Sequence, residues 1–344
     1  MWQVVGQERA VTLLQRSLKS GSLAHAYLFV GPAHVGKMTL AINLAQALNC
    51  EAADSPCGEC TSCQKIAAAK HADVQIIDLG GGEVSAEAET RVKISVEQIE
   101  QLQRSASLPP FEGKHKVFIL DGVEFLSIGA ANRLLKTLEE PESRVIFLLL
   151  TTNEHVVPAT IVSRCQRVEL APLAVSEVED VLQGQWGVEP QKAKFLARLC
   201  RGCLGWAVSA AYDDSLLQRR AELLDGLLEI TDADNEERFA YAAQLVERFN
   251  QNRALVQERL DLWLEWWRDL MLLKAGCNDA VTNIDRIETL TQRAACYNLG
   301  EIRAFIDSII EAGEQLRLNA NPQLVLEVLM LSIPDEGRVG HLSK

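Results

Sequence analysis

The spacing of apolar residues changes character about halfway along the chain. In the first half, stretches with apolar residues every third or fourth position alternate with short runs that are apolar almost throughout. The helical period predicts helices over Gln7–Lys19, Val96–Ser105 and Ala130–Glu140, the last stopped by Pro141. The unbroken runs Ala26–Val30, Val74–Asp78, Lys116–Asp121 and Arg144–Thr151 read as strands buried on both faces, the signature of a parallel sheet covered by helices. After Leu170-Ala-Pro172 the strand pattern stops and the rest is helical in period, broken by polar positions near Gly202, Asp213 and Asn278. The expectation is an α/β three-layer domain over residues 1–171, a small helical domain over 172–212, a larger all-α domain over 213–334, and a frayed tail over 335–344. In the all-α part, Leu255, Leu262, Trp266, Leu270 and Leu273 make one apolar face, with Trp263 and Trp267 also read as packing residues. Gly80 to Arg91 reads as a surface loop, and the chain carries no internal repeat.

A length of 344 residues suits two or three domains, and 48% hydrophobic with 24% charged residues is an ordinary globular composition. The formal charge of −13 argues against a chain held to nucleic acid or anionic lipid by diffuse attraction, so any such contact is local or shared. No apolar run is long enough to span a bilayer and the N-terminus does not resemble a secretion signal, so a cytoplasmic protein without membrane contact is expected. Of the nine cysteines, four fall between positions 50 and 63. In a reducing compartment that crowding reads as metal ligation sooner than as disulfides.

Three motifs carry chemistry. Gly31-Pro-Ala-His-Val-Gly-Lys-Met-Thr39 has the form of a phosphate-binding loop between strand and helix, in which Gly31 and Gly36 let backbone N–H groups close on an anion and Lys37 supplies charge. Met38 stands where a hydroxyl should bind Mg²⁺, and Thr39 is about 100° farther round the helix, a poor substitute. Two readings stand: a nucleotide site, or a loop that shapes the fold and stays empty. Asp121 ends an apolar strand, as a Mg²⁺-holding aspartate does, but Gly122 follows where a water-polarising glutamate is usual, with Glu124 two residues farther along. Cys50, Cys57, Cys60 and Cys63 can surround one tetrahedral Zn²⁺ with no position left for water, hence a structural site. Cys200 and Cys203 sit alone at an apolar helix end and read as packing.

In this order the motifs resemble the bacterial clamp-loader subunits of DNA polymerase III, a branch of the AAA+ ATPases, over nearly the whole chain. Val4-Val-Gly-Gln7 resembles the box that borders the adenine, which makes Val5 a candidate contact; Ala130 to Pro141 matches the signature helix; and Leu149-Leu-Thr-Thr-Asn153 resembles the sensor 1 strand end, with Thr152 as sensor. Ile161-Val-Ser-Arg-Cys165 resembles the Ser-Arg-Cys motif, which implies that Arg164 acts in trans as an arginine finger; Asn319 to Leu329 resembles the last helix of the collar. The resemblance implies an AAA+ domain with a zinc insertion, a lid and an oligomerisation collar. It also implies gamma/tau and delta partners in a hetero-pentamer, and a sliding clamp and primer–template DNA met through that complex. Met38, Gly122 and a lid turn, Gly202-Cys-Leu-Gly-Trp-Ala207, without arginine point to the branch that lends a finger and has weak or absent ATPase activity. An active gamma/tau-type motor is one alternative, and a stand-alone zinc-containing nucleic-acid-binding protein the other.

Overall fold

The structure, a computed structural model, describes residues 2–79, 93–318 and 320–334; the expected surface loop from Gly80 and the tail from 335 lie outside the described residues. The first half contains helices α1 (Glu8–Ser20), α2 (Lys37–Asn49), α3 (Thr61–Ala67), α4 (Val96–Ala106), α5 (Ile128–Glu139) and α6 (Ala159–Val162). Between them run strands β1 (Ala26–Val30), β2 (Val74–Ile77), β3 (Lys116–Asp121), β4 (Val145–Thr151) and β5 (Gln166–Glu169). The five strands are parallel, in the order β2-β3-β4-β1-β5.

The unbroken apolar runs have a direct cause, since successive side chains of a strand face opposite sides and here both sides are covered. Tyr27 and Phe29, Val117 and Ile119, and Ile146, Leu148 and Leu150 enter one apolar layer with Leu14, Leu40 and Leu44 of α1 and α2. Leu28, Phe118, Leu120, Phe147 and Leu149 enter the other with Ile99, Leu102, Leu134 and Leu138 of α4 and α5. Each layer is a helix pair on a sheet face, a three-layer α/β architecture. β5 has no counterpart among the expected strands: only Val168 of its four residues is buried, so the edge strand of the sheet reads as polar chain.

The described residues fall into two compact units, one carrying the sheet through Asp180 and again over Gly202–Trp206, the other comprising Val181–Arg201 and the chain from Ala207. Boundaries thus fall within α7 (Val175–Trp186) and α9 (Leu204–Tyr212), whereas α8 (Pro190–Leu199) lies wholly in the second unit. The second unit continues with α10 (Asp214–Asp232), α11 (Asn235–Gln251), α12 (Arg253–Lys274), α13 (Ile287–Cys296), α14 (Leu299–Arg317) and α15 (Pro322–Leu331). Helix α12 lies among α10, α11, α13 and α14. Its buried surface is therefore wider than one stripe: Val256, Leu260, Leu262, Trp263, Trp266, Trp267 and Leu270 are all buried, Leu273 is partly so, and Leu255 lines a surface cleft. Asp234, which opens α11, and Asn298, which opens α14, close capping boxes with Glu237 and Glu301.

Candidate functional site

Because β4 lies between β1 and β3, the loops after all three leave the same carboxyl edge of the sheet, where α/β proteins build their sites. After β1, the Gly31 N–H donates to the Thr151 carbonyl (3.3 Å), and a Cβ on Gly31 would stand 2.5 Å from the Leu170 carbonyl oxygen. Gly36 opens α2 at φ +106°, a conformation that glycine alone takes readily. The buried Lys37 ammonium donates to the Gly31 and Pro32 carbonyls, both at 2.7 Å. Burial lowers the Lys37 pKa, opposed by the charges of Asp121, Glu124 and Cys203. Met38 is half-buried and packs against the apolar layer of β1, and Thr39 is exposed.

The N-terminal segment is tied to this loop. Gln3 and Val4 N–H groups donate to the buried Asn43 Oδ1 (2.6 and 3.2 Å), and Gln7 bonds Ala171 through both ends of its amide (2.8 and 3.2 Å). Val4 packs on the same core and Val5 is half-buried. The turn 202–206 also reaches the loop, where the Gly205 N–H donates to the His34 carbonyl (2.9 Å). A Cβ at Gly205 would come within 2.8 Å of that oxygen, so the contact depends on glycine. Cys203, read from sequence as a packing residue, is close enough to Lys37 to raise its pKa; Cys200 is buried as expected.

At the end of β3, burial raises the Asp121 pKa, Lys37 opposes the shift, and Glu124 and Asp78 add to it. Gly122 takes φ +79°, and a Cβ there would meet the Phe125 ring at 2.8 Å. The glycine thus makes the turn itself, and an acidic residue would not fit this backbone without strain. Glu124, given no role by its sequence context, accepts hydrogen bonds from the Thr152 N–H (3.0 Å) and hydroxyl (2.7 Å). The candidate sensor is thus bonded to a carboxylate two residues beyond Gly122. These residues do not fit a hydrolytic Mg²⁺–ATP site, since the metal-binding hydroxyl and the base are both lacking.

Arg164 follows α6. Its Nη1 donates to the Thr160 carbonyl (2.8 Å) and its Nη2 to Glu139 Oε1 at the end of α5 (2.6 Å), with the arginine side chain 34% exposed. The next residue, Cys165, packs against the core, where burial pushes its thiol up to about 12.

The cysteine cluster forms as its spacing predicts. The four Sγ atoms lie within 4.8 Å of one another, with Cys50–Cys57 at 3.5 Å and Cys57–Cys63 at 3.9 Å. Tetrahedral Zn²⁺ with Zn–S near 2.3 Å sets sulfurs about 3.8 Å apart. Backbone N–H groups of Cys57, Cys60 and Cys63 point at cysteine sulfurs (3.3–3.5 Å), and Cys60 caps α3. The Cys60 backbone N–H, first among several donors, lowers the Cys57 thiol to about 6, whereas burial raises that of Cys63 to about 12. Four sulfurs at this spacing fit a closed, structural Zn²⁺ site.

A second network, unforeseen from sequence, braces this module. The buried Asp73 carboxylate accepts the N–H groups of Phe111, Glu112 and Gly113 (2.7–2.8 Å); Asn49 Oδ1 accepts those of Lys114 and His115 (2.8 and 2.9 Å); Lys65 pairs with Glu112 (2.5 Å). Phe111 is thereby held 87% exposed on a bonded loop.

Known families agree with this geometry. Residues 6–174 match a family described as DNA polymerase III, delta subunit, and residues 214–334 match the C-terminal domain of the delta subunit. The delta prime subunit of Bacillus subtilis DNA polymerase III is 28% identical over 96% of both chains. The chain belongs to the delta prime family of DNA polymerase III clamp-loader subunits. Relatives of the delta prime family include the tau subunits of Bacillus subtilis, 30% identical over 96% of this chain, and Escherichia coli, 34% identical over 76%. This chain spans 60% and 41% of those two tau chains, whereas it matches the delta prime chain nearly end to end. No helix among the described residues is long and apolar enough to cross a membrane.

Proposed function

We propose that this delta prime family member is the stator of a clamp loader: it turns over no ATP itself and lends Arg164 to ATP held by an adjacent gamma/tau subunit while the sliding clamp is loaded onto primed DNA. The observation that carries the reading is the incomplete nucleotide site, with Met38 packed against the core and Gly122 forming a left-handed turn, together with an ordered, partly exposed arginine. A guanidinium acting on a neighbour's γ-phosphate stabilises the charge that develops on the transferred group, an effect of about 10³–10⁵ in rate in related systems. Lys37, Thr39, Asp121, Thr152 and the glycines of the loop remain as a degenerate cradle, with Val5 beside it. The domain division into an AAA+ domain to residue 171, a lid to 212 and a collar to 334 belongs to the same reading, as do gamma/tau and delta as partners in a hetero-pentamer. Cys50, Cys57, Cys60 and Cys63 would hold a structural Zn²⁺, which supplies rigidity and no reaction chemistry.

The identities to tau chains favour a second reading, an active motor. A steady-state phosphate-release assay on the isolated chain separates the two. Turnover at background, unchanged by Lys37→Ala, is expected. Motor-like turnover abolished by that substitution would overturn the stator reading.

A further inference from the structure

The guanidinium of Arg164 is held from two elements at once. Nη1 is bound to the Thr160 carbonyl of the short helix α6, and Nη2 to Glu139, the last residue of α5. Arginine has the longest reach of the basic side chains and about 2 kcal/mol of rotamer entropy when free. An unrestrained side chain would seldom present its fork in one orientation, whereas a planar group fixed at both terminal nitrogens has a defined plane. Five N–H donors are available and these contacts do not use them all, so phosphate oxygens can be met while both holds persist. We infer that Glu139 is a positioning residue: it ties the finger to the end of α5, so that the placement of that helix sets the orientation of Arg164. This deepens the stator reading and rests on it.

The ion pair is well suited to orientation and poorly suited to stability. Glu139 is half-exposed and the contact is one-pronged, and pairs of that kind contribute little to folding. Removal of Glu139 should therefore leave a folded chain with a wandering finger. The loss should fall on kcat, since the contact with the neighbour's phosphate matters most in the transition state.

The test uses complexes rebuilt from gamma/tau, delta and this chain at equal assembly, with ATP hydrolysis measured in the presence of clamp and primed DNA. Glu139→Ala should lower the Arg164-dependent part of kcat three- to tenfold with KM for ATP changed less than twofold. Glu139→Gln, which keeps an acceptor of the same length, should recover at least half. Combined with Arg164→Ala, Glu139→Ala should add nothing. A defective Arg164→Ala complex beside an unaltered Glu139→Ala complex overturns the positioning role and leaves the finger standing; additive losses overturn it as well. An Arg164→Ala complex of full activity removes the finger and the positioning role together.

Discussion

At the scale of single residues, Asp73 organises more of the surface than its place in the sequence suggests. Burial pushes its pKa up, but three backbone N–H donors and His71 pull harder and leave it below the ordinary 3.8. A depressed carboxylate contributes its full stability above the unfolded pKa and loses it as the pH falls through the folded one. Asp73→Asn turns an amide N–H₂ toward backbone donors and should cost about 1–3 kcal/mol at pH 7. Denaturant melts should find that difference shrinking below about pH 4; a gap unchanged from pH 7 to pH 3 would remove the carboxylate's role. Residues of this kind are illegible in advance. Lys37, Asp121 and the four cysteines announce themselves by type and spacing, whereas Asp73, Glu124 and Glu139 act through partners 25 to 40 positions away, which only the folded sheet brings together.

At the scale of elements, period and capping explain what could be read. Strands buried on both faces declare themselves as apolar runs, and in the structure Ser95 and Ser127 cap the starts of α4 and α5 with their side chains. β5 escaped because an edge strand with one buried residue has no apolar pattern to find. The cysteine module illustrates coupling between elements: the carbonyl of Cys50 accepts from Lys114 (2.5 Å), and Ser62 on α3 bonds His71 (3.2 Å), whose ring accepts from the Asp73 N–H (3.1 Å). Metal removal should therefore loosen residues 109–115 as well as 50–66. Chelation or Cys60→Ser should abolish zinc in elemental analysis and raise amide exchange in both segments at least tenfold, with β1 and β4 unaffected. Native protein that contains no zinc, or exchange unaltered by chelation, would sink the assignment.

At the scale of the whole molecule, α15 buries Val325, Leu326, Leu329 and Met330 while leaving Leu324, Val328 and Leu331 exposed at three- and four-residue spacing. Such a stripe suits a helix that packs against neighbouring subunits. Leu324→Asp with Val328→Asp should change the stability of the free chain by less than about 1 kcal/mol yet weaken assembly with gamma/tau and delta at least tenfold, as read by native mass spectrometry; intact assembly would place the contact elsewhere. The central claim, that this chain works by lending an arginine to another subunit's ATP, is tested most directly by clamp- and DNA-stimulated ATP hydrolysis in rebuilt complexes carrying wild-type chain, Arg164→Ala or Arg164→Lys. Both variants should assemble normally and lose one site's share of the stimulated rate, with lysine rescuing poorly because a point charge cannot reproduce the planar fork. Stimulated rates equal to wild type in fully assembled Arg164→Ala complexes would contradict the account.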